Sequence, residues 1–585
     1  MEPAVIMTSS SSSSASGAAK AKPTRVRSGW LPYVLLVLIG LITLAPITSV
    51  VVGSFRPMGL PTSSGWTLTH YIDIWSSAHT YRLVLNTLIF SILSTTLALS
   101  IAGTIAWLIE RTNIYGVGYF RAAILAPMAT PPLLLAIGWI LLTSPSIGLF
   151  TSILQAVFGA SAPKIPIYSL AGMVFVQGLI MVPTSFLILA PVMRNMDPSF
   201  EEAAKVSGAT FRQTLMRVSL PFLTPPILSL VTLLLIYGML TFDVPAVIGM
   251  PGNVMVMSSE IYSLMNPSSG LPDYGKSAAM NSSLLFLLIG AIAVYYNLTA
   301  NSDRFSTVAG KAYKATRFDL GRWRPYATLA VCVYFAFAVV LPFITLLWVS
   351  LTPYFAGMSW DLVPLLSFNS LAKTLTLPRV WHSAINSLLV AFTAAAALTL
   401  LSVLSGWTII RSRLWWIKVL DVLAMVPTAV PHLMMGVALV FIFFSLRAIP
   451  IYGTIWVIAL GHIIIFLPIG ARMVQAGIIQ IHKELEEAAI MAGATTRQTL
   501  FRIVMPLIRP TIVGLFVWIF VHSFREFSVA VMLQSGRNEV LSTVLYSYWD
   551  NGQPEAAAAI AVTMIMALSV AILAGHLLGA KHERN

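Results

Sequence analysis

One segment of this chain occurs twice, 285 positions apart, and this repeat constrains the fold more than any other feature of the sequence. The first copy, residues 201–221, reads EEAAKVSGATFRQTLMRVSLP, and the second copy, residues 486–506, reads EEAAIMAGATTRQTLFRIVMP. Each copy is a polar island between two long apolar stretches, so it must lie at a membrane surface and face water. The chain therefore consists of two related halves that present the same element to a soluble compartment.

Composition excludes a soluble globular protein. The chain is 57% hydrophobic and 10% charged, whereas soluble domains carry about 25% charged residues. The net charge of +14 would indicate a nucleic-acid partner in a soluble protein. Here the basic residues cluster between apolar segments, which is typical of membrane orientation, and we expect no nucleic-acid partner. The single cysteine, Cys332, lies in an apolar run, so neither an intrachain disulfide nor a thiolate metal site is expected.

Apolar segments long enough to cross a membrane define the architecture. A span needs about 20 predominantly apolar residues, and segments of this kind are centred near residues 42, 96, 130, 180, 236, 289, 338, 397, 429, 463, 520 and 567. Pro131, Pro132 and Pro183 interrupt two of these segments, which bundled membrane helices tolerate. We predict an all-α polytopic membrane protein with about twelve transmembrane helices, in two six-helix halves that share one orientation.

The same pattern divides the chain into parts. Asn86-Thr87 and Asn386-Ser387 stand near the start of the second and eighth spans, so the halves match beyond the repeat. The basic segments, which include Arg111 and Arg411, fall on one side of the membrane, and the positive-inside rule then makes both termini and both repeat copies cytoplasmic. The predicted parts are a disordered cytoplasmic tail (1–29), a first half (30–302), a cytoplasmic linker (303–324) and a second half (325–580).

Local signals within the repeat predict a helix, a sharp corner and a second helix. Asp197-Pro198 is a typical N-cap and first helical residue. Gly208 suits a left-handed residue that ends the first helix. Thr210 and Gln213 have the spacing of a capping box that begins the second helix. The second copy repeats the corner and the box with Gly493, Thr495 and Gln498.

This layout resembles the EAA loop of membrane subunits of binding-protein-dependent ABC importers, in which E-A-A is followed by glycine and then by an apolar-proline pair. Here the apolar-proline pairs are Leu220-Pro221 and Met505-Pro506. The resemblance implies a coupling helix that seats in a groove of a cytoplasmic ATPase subunit; the alternative is an interfacial helix without a partner. The docking residues implied are Glu201, Glu202, Ala203, Ala204, Gly208 and Arg212, and Glu486, Glu487, Ala488, Ala489, Gly493 and Arg497.

From about residue 30 to residue 580 the chain resembles the fused permeases of ferric-iron importers. The stretches that carry this resemblance are FDVP at Phe242–Pro245 with Ile248-Gly249, DLGRWR at Asp319–Arg324, and REF at Arg525–Phe527. It implies a bacterial inner-membrane permease that receives ferric iron from an external binding protein and docks two ATPase copies. ATP and Mg would be bound by that ATPase, so no cofactor, metal or catalytic residue is expected in this chain, and lipid surrounds it.

Three alternatives stay open at this point. An importer of the same type could carry thiamine, a polyamine or a phosphonate. A secondary transporter can also have two parallel six-helix halves, but it has no need of a duplicated docking loop. A polytopic membrane enzyme is disfavoured because no Ser/His/Asp, paired-carboxylate or Cys/His constellation stands out.

Two other patterns are interpreted as structural. Residues 270–277, GLPDYGKS, match the phosphate-binding P-loop pattern, which requires a preceding strand and a following soluble helix. Here the pattern lies on the non-cytoplasmic side and leads into a membrane helix, so we interpret it as a chance match. His462 and His522 fall within spans, where we expect buried, hydrogen-bonded side chains in preference to pathway ligands.

The remaining functional candidates are charges within the spans. Arg525-Glu526 follows Pro506 by about 28 Å of helix at 1.5 Å per residue, which places the pair near the outer membrane face. Ionisable groups within spans are functional candidates, although anchoring at the interface is the alternative. Phe242 aligns with Phe527 across the repeat. The candidate outer gate or binding-protein contact comprises Phe242, Asp243, Arg525, Glu526 and Phe527.

Overall fold

The computed structural model describes residues 30–124, 126–145, 148–197, 199–299, 318–355, 357–446 and 450–580. The tail predicted for residues 1–29 and residues 303–317 of the predicted linker lie outside this part of the chain. Within the described ranges the structure is helical, and the only strand-like pairing is an isolated bridge between Thr112 and Phe318. The predicted all-α class is confirmed.

The helices follow the repeat of the sequence. The first half contains α1 (Leu31–Ser54), α2 (Thr69–Trp75), α3 (Ala78–Arg111), α4 (Val117–Ala123), α5 (Ala126–Ala129), α6 (Pro132–Thr143), α7 (Leu149–Phe158), α8 (Leu170–Asn195), α9 (Ser199–Val206), α10 (Phe211–Thr214), α11 (Leu220–Leu240), α12 (Met257–Met265) and α13 (Tyr274–Thr299). The second half contains α14 (Arg324–Phe335), α15 (Leu341–Leu351), α16 (Phe368–Leu375), α17 (Pro378–Arg411), α18 (Ile417–Met425), α19 (His432–Ser445), α20 (Ile455–Ile479), α21 (Lys483–Met491), α22 (Thr496–Thr499), α23 (Met505–Leu507), α24 (Arg509–Arg525), α25 (Ser528–Leu533), α26 (Leu541–Asp550) and α27 (Pro554–Ala580).

The described residues contain nine helices that are long and apolar enough to cross a membrane, and up to eleven spans if two bent helix pairs each count as one. The expected span near residue 130 is instead the series of short helices α4 to α6. Pro127 and Pro131 break it, because proline has no amide hydrogen and restricts the residue before it. Pro427 and Pro431 occupy the matching places in the second half, where the chain bends by 107°. Pro183, by contrast, lies inside the continuous α8.

The two halves interlock through their first helices. α1 packs against α13 of its own half and against α18 and α19 of the other half. In the same way, α15 packs against α27 of its own half and against α6 of the first half. The approach of α15 to α6 is so close that a Cβ at Gly138 would lie 2.8 Å from the Cβ of Pro342. Each half therefore completes its packing only with a helix from the other.

The matching Asn-Thr and Asn-Ser pairs hold a short helix in each half. The side-chain amides of Asn86 and Asn386 each donate a 2.9 Å hydrogen bond to a backbone carbonyl just before α12 and α26. The hydroxyls of Thr87 and Ser387 accept hydrogen bonds of 3.0 and 2.8 Å from the first backbone amides of the same two helices. The N-terminal part of each 34-residue helix, α3 and α17, is thereby tied to a short, largely buried helix.

Candidate functional site: the coupling loops and the aromatic seam

The first coupling loop has the predicted helix, corner and second helix. The Asp197 carboxylate accepts a 2.9 Å hydrogen bond from the Ser199 amide at the start of α9. Gly208 follows α9 with φ +81°, in the left-handed region that favours glycine. The Thr210 amide donates to the Gln213 side chain at 2.8 Å, and the Gln213 amide donates back to the Thr210 hydroxyl at 3.4 Å. The predicted corner and capping box are confirmed.

The second coupling loop repeats this geometry. Gly493 follows α21 with φ +90°. The Thr495 amide donates to the Gln498 side chain at 2.8 Å, and the reciprocal bond measures 3.3 Å. Nothing lies within 4 Å of an ideal Cβ at Gly208 or Gly493. The glycines are therefore required by the backbone conformation and not by crowding.

The first glutamate of each copy turns towards the permease. In the first loop, Glu201 forms an ion pair with Arg111, the last residue of α3. The Ser219 hydroxyl donates to the other carboxylate oxygen of Glu201 at 2.7 Å. Arg111 also donates to the Met196 carbonyl at 3.2 Å. We call this pair, Arg111 with Glu201, the first clamp.

The second clamp, Arg411 with Glu486, has the more deeply buried carboxylate. The Arg411 Nε donates to Glu486 Oε1 at 2.6 Å, and both side chains are only 9% exposed. Trp407 Nε1 donates to the second carboxylate oxygen at 3.2 Å. Arg411 also donates to the carbonyls of Ile481 and Ile478 at 3.0 and 3.3 Å. Every oxygen of this buried carboxylate therefore has a donor, as burial of a charge requires.

These clamps give the first glutamate of each copy a partner within the permease. Glu486 is buried and contacts its own chain, so it is not placed to meet a partner directly. Glu201 is likewise directed at Arg111. Sequence reasoning counted Arg111 and Arg411 only as orientation charges. The sequence did contain a signal for their role, because each arginine stands at the end of a long apolar segment and the two lie 300 positions apart, at matching places of the two halves.

The outward faces of the coupling helices carry the neighbouring residues. Glu202 and Ala203 of α9 are exposed, and Val206 is 89% exposed. These positions, i, i+1 and i+4, share one helical face. The equivalent face of α21 consists of Glu487, Ala488 and Met491, of which Met491 is 77% exposed.

The other predicted docking positions divide between the two faces. Ala204 is half-buried and Ala489 is buried, so the second alanine of each copy packs inward. Arg212 and Arg497 are exposed near the start of the second helix. Val206 and Met491 were not predicted, since an apolar residue beside a membrane gives no distinct signal in sequence.

The predicted gate residues Phe242 and Phe527 meet across the two halves. Their rings are nearly parallel, 9° apart, with centroids 5.8 Å from one another, and both side chains are buried. Tyr262 of α12 lies 5.0 Å from the Phe242 ring, and Tyr546 of α26 lies 5.0 Å from the Phe527 ring. We call these four rings the aromatic seam. Tyr262 and Tyr546 were missed, although they also occupy matching positions of the repeat.

Charged groups adjoin the seam. Oε1 of Glu526 lies 3.4 Å from Nδ1 of His432, and Oε2 lies 3.2 Å from Nε2 of His462. The Val529 amide donates to both oxygens, at 3.1 and 3.0 Å. Asp243 of the first half interacts electrostatically with Glu526, His432 and Arg525. Among the described residues, no group of three or more His, Cys, Asp or Glu side chains is arranged to hold a metal ion.

Arg525 also joins the halves. Its guanidinium donates to the carbonyl of Met128 and, at 3.2 Å, to the carbonyl of Thr130. These carbonyls belong to the proline-broken segment of the first half, whose backbone groups lack regular helical partners. The structure therefore brings all five predicted gate residues to one boundary between the halves.

Comparison with known proteins identifies the family. The family model described as the binding-protein-dependent transport system inner membrane component matches residues 102–307 and 398–581, which is more than half of the chain. The chain belongs to this family. It is a multi-pass permease of the ABC importer class, as the motif resemblance implied.

Relatives of this permease share most of its length. It is 27% identical to the ferric transport system permease protein FbpB of Actinobacillus pleuropneumoniae over 511 residues, which cover 86% of this chain and 72% of that protein. It is 27% identical to the probable ABC transporter permease protein y4fN of Sinorhizobium fredii over 494 residues, 82% of this chain and 84% of that one. A solved structure of a bacterial alginate ABC transporter covers 46% of the permease and 95% of the matched chain, with 20% identity and a TM-score of 0.38.

The P-loop lookalike of the permease caps a membrane helix. Asp273 accepts a 2.9 Å hydrogen bond from the Lys276 amide at the start of α13. The Lys276 ammonium lies 3.8 Å from Asp273 and 4.0 Å from Asp73. Ser277 is fully buried. These contacts account for the pattern as a helix start.

The two histidines within spans are hydrogen-bonded as predicted. His462 is 1% exposed, and its Nδ1 lies 2.7 Å from the Ser523 hydroxyl. His522 is partly buried, and its Nδ1 lies 2.8 Å from the Trp518 carbonyl. His462 has a second contact that the prediction did not include, the Glu526 carboxylate.

Proposed function

We propose that this permease forms the translocation pathway of an ATP-driven importer and docks two copies of a cytoplasmic ATPase through α9 and α21. An external binding protein delivers the solute to the opposite face. The observation that carries this proposal is the duplicated coupling loop, since both copies combine a left-handed corner, an inward clamp and the same outward face. The positive-inside rule supports cytoplasmic loops and cytoplasmic termini.

The outward faces indicate how docking would be stabilised. An exposed ion pair at Glu202 or Glu487 contributes about 0–1 kcal/mol. Burying an apolar side chain such as Val206 or Met491 in a partner groove contributes about 1.5–3 kcal/mol. The apolar side chains therefore supply more of the docking energy, and Ala203 and Ala488 allow the groove to approach the helix closely.

The clamps offer a mechanical route from the ATPase to the seam. Each coupling helix is held by the last residue of a 34-residue helix, Arg111 of α3 or Arg411 of α17. About 37 Å away at 1.5 Å per residue, the Asn86 and Asn386 pairs tie the same helices to α12 and α26. These short helices carry Tyr262 and Tyr546. A displacement of a coupling helix would therefore reach the seam through one rigid element in each half.

The proposed solute is ferric iron. The names of relatives support it. Thiamine, polyamines and phosphonates are the alternatives that the test includes.

The substrate test uses the complete transporter. The permease is reconstituted in proteoliposomes with its cognate ATPase and binding protein, and ATP-dependent uptake of radiolabelled ferric iron is measured. Thiamine, spermidine and a phosphonate compete in parallel. Uptake that follows an ion gradient without ATP would identify a secondary transporter, and uptake of a competitor alone would refute iron.

Docking is tested by co-purification of the ATPase with coupling-helix variants at matched expression. Glu202→Ala and Glu487→Ala should each weaken association modestly, and the double variant should weaken it more, because two linked contacts act through effective concentration. Val206→Ala and Met491→Ala should each weaken ATPase association more than the corresponding glutamate variant does. If one glutamate variant abolished assembly and the other had no effect even in combination, the proposal that both loops dock would fail.

A further inference from the structure

The end of the linker binds the loop that follows α3. The Phe318 amide donates to the Arg111 carbonyl at 2.7 Å. The Asn113 side chain makes two bonds, because its Nδ2 donates to Asp319 Oδ1 at 2.6 Å and its Oδ1 accepts from the Leu320 amide at 3.1 Å. We call the segment Phe318–Arg324 the linker latch.

Aromatic and cationic contacts extend the latch on both sides. The Phe318 ring lies 6.4 Å from the Trp107 ring of α3. The Arg324 guanidinium lies 3.8 Å from the centre of the Tyr115 ring, a cation–π arrangement. The Tyr115 amide donates to the Thr328 hydroxyl of α14 at 3.2 Å. The DLGRWR stretch thus connects the first helix of the second half to the end of α3.

A turn within the latch orients Asp319. The Gly321 amide donates to Asp319 Oδ1 at 3.0 Å, and the same oxygen accepts from Asn113. These two hydrogen bonds, with that from Gly321 the larger cause, lower the pKa of the Asp319 carboxyl. The carboxylate is therefore held in its ionised form, which is the form that accepts both bonds.

Arg111 belongs to the latch and to the first clamp. Its backbone carbonyl accepts from the latch, while its guanidinium forms the ion pair with Glu201 of α9. The end of α17 is closed differently, since the Ser412 amide donates back to Thr408 of the same helix. On that side Tyr33 of α1 packs against Trp416, with ring centroids 5.1 Å apart.

We propose that the linker latch positions the first coupling helix by fixing the end of α3, with Asn113 as the positioning residue. The inference deepens the proposed function, because it rests on α9 being an ATPase-docking element. The latch makes the two ATPase-docking sites unequal. Movement of α14 in the second half is transmitted to the first coupling helix through the latch, whereas among the residues that the structure describes α21 has no equivalent connection.

The test measures the mobility of both coupling helices in the full-length permease. In a Cys332→Ser background, a spin label is placed on Val206→Cys or, separately, on Met491→Cys. Asn113→Asp sets two carboxylates against each other at the latch. We expect the mobile fraction of the label to rise several-fold at position 206 and to stay unchanged at position 491.

A second substitution provides the matched control. Adding Asp319→Asn to Asn113→Asp exchanges the donor and the acceptor, so the latch bonds can form again and mobility at position 206 should return to its original value. Unchanged mobility at position 206 in Asn113→Asp, equal loosening at both positions, or failure of the exchange to restore order would each overturn the proposal.

Label mobility and ATPase co-purification together separate the two proposals. The mobility experiment requires no ATPase, so it reports on the latch alone. If the docking proposal is wrong, the ATPase does not co-purify with the unmodified permease. If only the latch proposal is wrong, the ATPase co-purifies, but Asn113→Asp does not change the mobility of the label at position 206.

Discussion

The adjacent glutamates Glu486 and Glu487 should give opposite phenotypes when each is changed to glutamine. Breaking a buried ion pair by removing one partner costs about 3–5 kcal/mol. Glutamine keeps one acceptor oxygen but turns an amide donor towards Arg411 or Trp407, so the lower end, about 3 kcal/mol, applies to Glu486→Gln. That corresponds to a roughly 150-fold shift in the equilibrium between the seated and the detached coupling helix. Glu487 is exposed, so Glu487→Gln should leave this equilibrium within about twofold.

Cysteine labelling at Ala489 measures this equilibrium directly. Ala489 is buried on the inward side of α21, so we expect Ala489→Cys in a Cys332→Ser background to react only when α21 detaches. We expect the labelling rate to rise about 100-fold with Glu486→Gln and hardly at all with Glu487→Gln. Glu487→Gln should instead weaken ATPase co-purification. Equal labelling of the two variants, or faster labelling with Glu487→Gln, would refute the assignment of inward and outward roles.

Three further outcomes are expected. Gly493→Val should cost about 1–2 kcal/mol through its left-handed backbone and lower uptake without affecting membrane insertion, with Gly493→Asn milder; full uptake and ATPase binding in the valine variant would contradict the corner assignment. The purified permease should neither bind nor hydrolyse ATP, and Lys276→Ala should leave the ATPase activity of the complex near its original value, whereas nucleotide photolabelling at Lys276 would contradict this. Phe242→Ala should lower the stability of the permease by about 3–5 kcal/mol and make proteoliposomes leak solute without ATP. Phe286→Ala, at an exposed position, is the control. Proteoliposomes with Phe242→Ala that do not leak would refute the idea that the aromatic seam closes the pathway.

Local features of the coupling loops could be predicted because their determinants are close in sequence. A capping box joins residues three positions apart, as in Thr495 and Gln498, and a left-handed corner needs only a glycine after the helix. The positions of most spans follow from hydropathy for the same reason. The span near residue 130 was predicted less well, since proline spacing decides between a kinked helix and a series of short ones.

The clamps and the seam could not be predicted with the same detail, because each joins distant segments. Glu486 and Arg411 lie 75 positions apart, and Phe242 and Phe527 lie 285 positions apart. The repeat showed that Phe242 and Phe527 are equivalent, but equivalence does not establish contact. Contact follows from the interlocking of the two halves, which brings the residues that follow α11 and α24 against one another.

The repeated EEAA sequence itself reflects the two faces of the coupling helix. Successive helical residues are about 100° apart, so the boundary between two faces of a helix can fall between two adjacent glutamates. The first glutamate and the second alanine, three positions apart, share the inward face, where Glu486 meets Arg411 and Ala489 is buried. The second glutamate and the first alanine remain for the outward face, together with the apolar residue that follows four positions after that glutamate. One helix of eight or nine residues can therefore bind the permease and a second protein at once. A substitution at one face should leave the other intact.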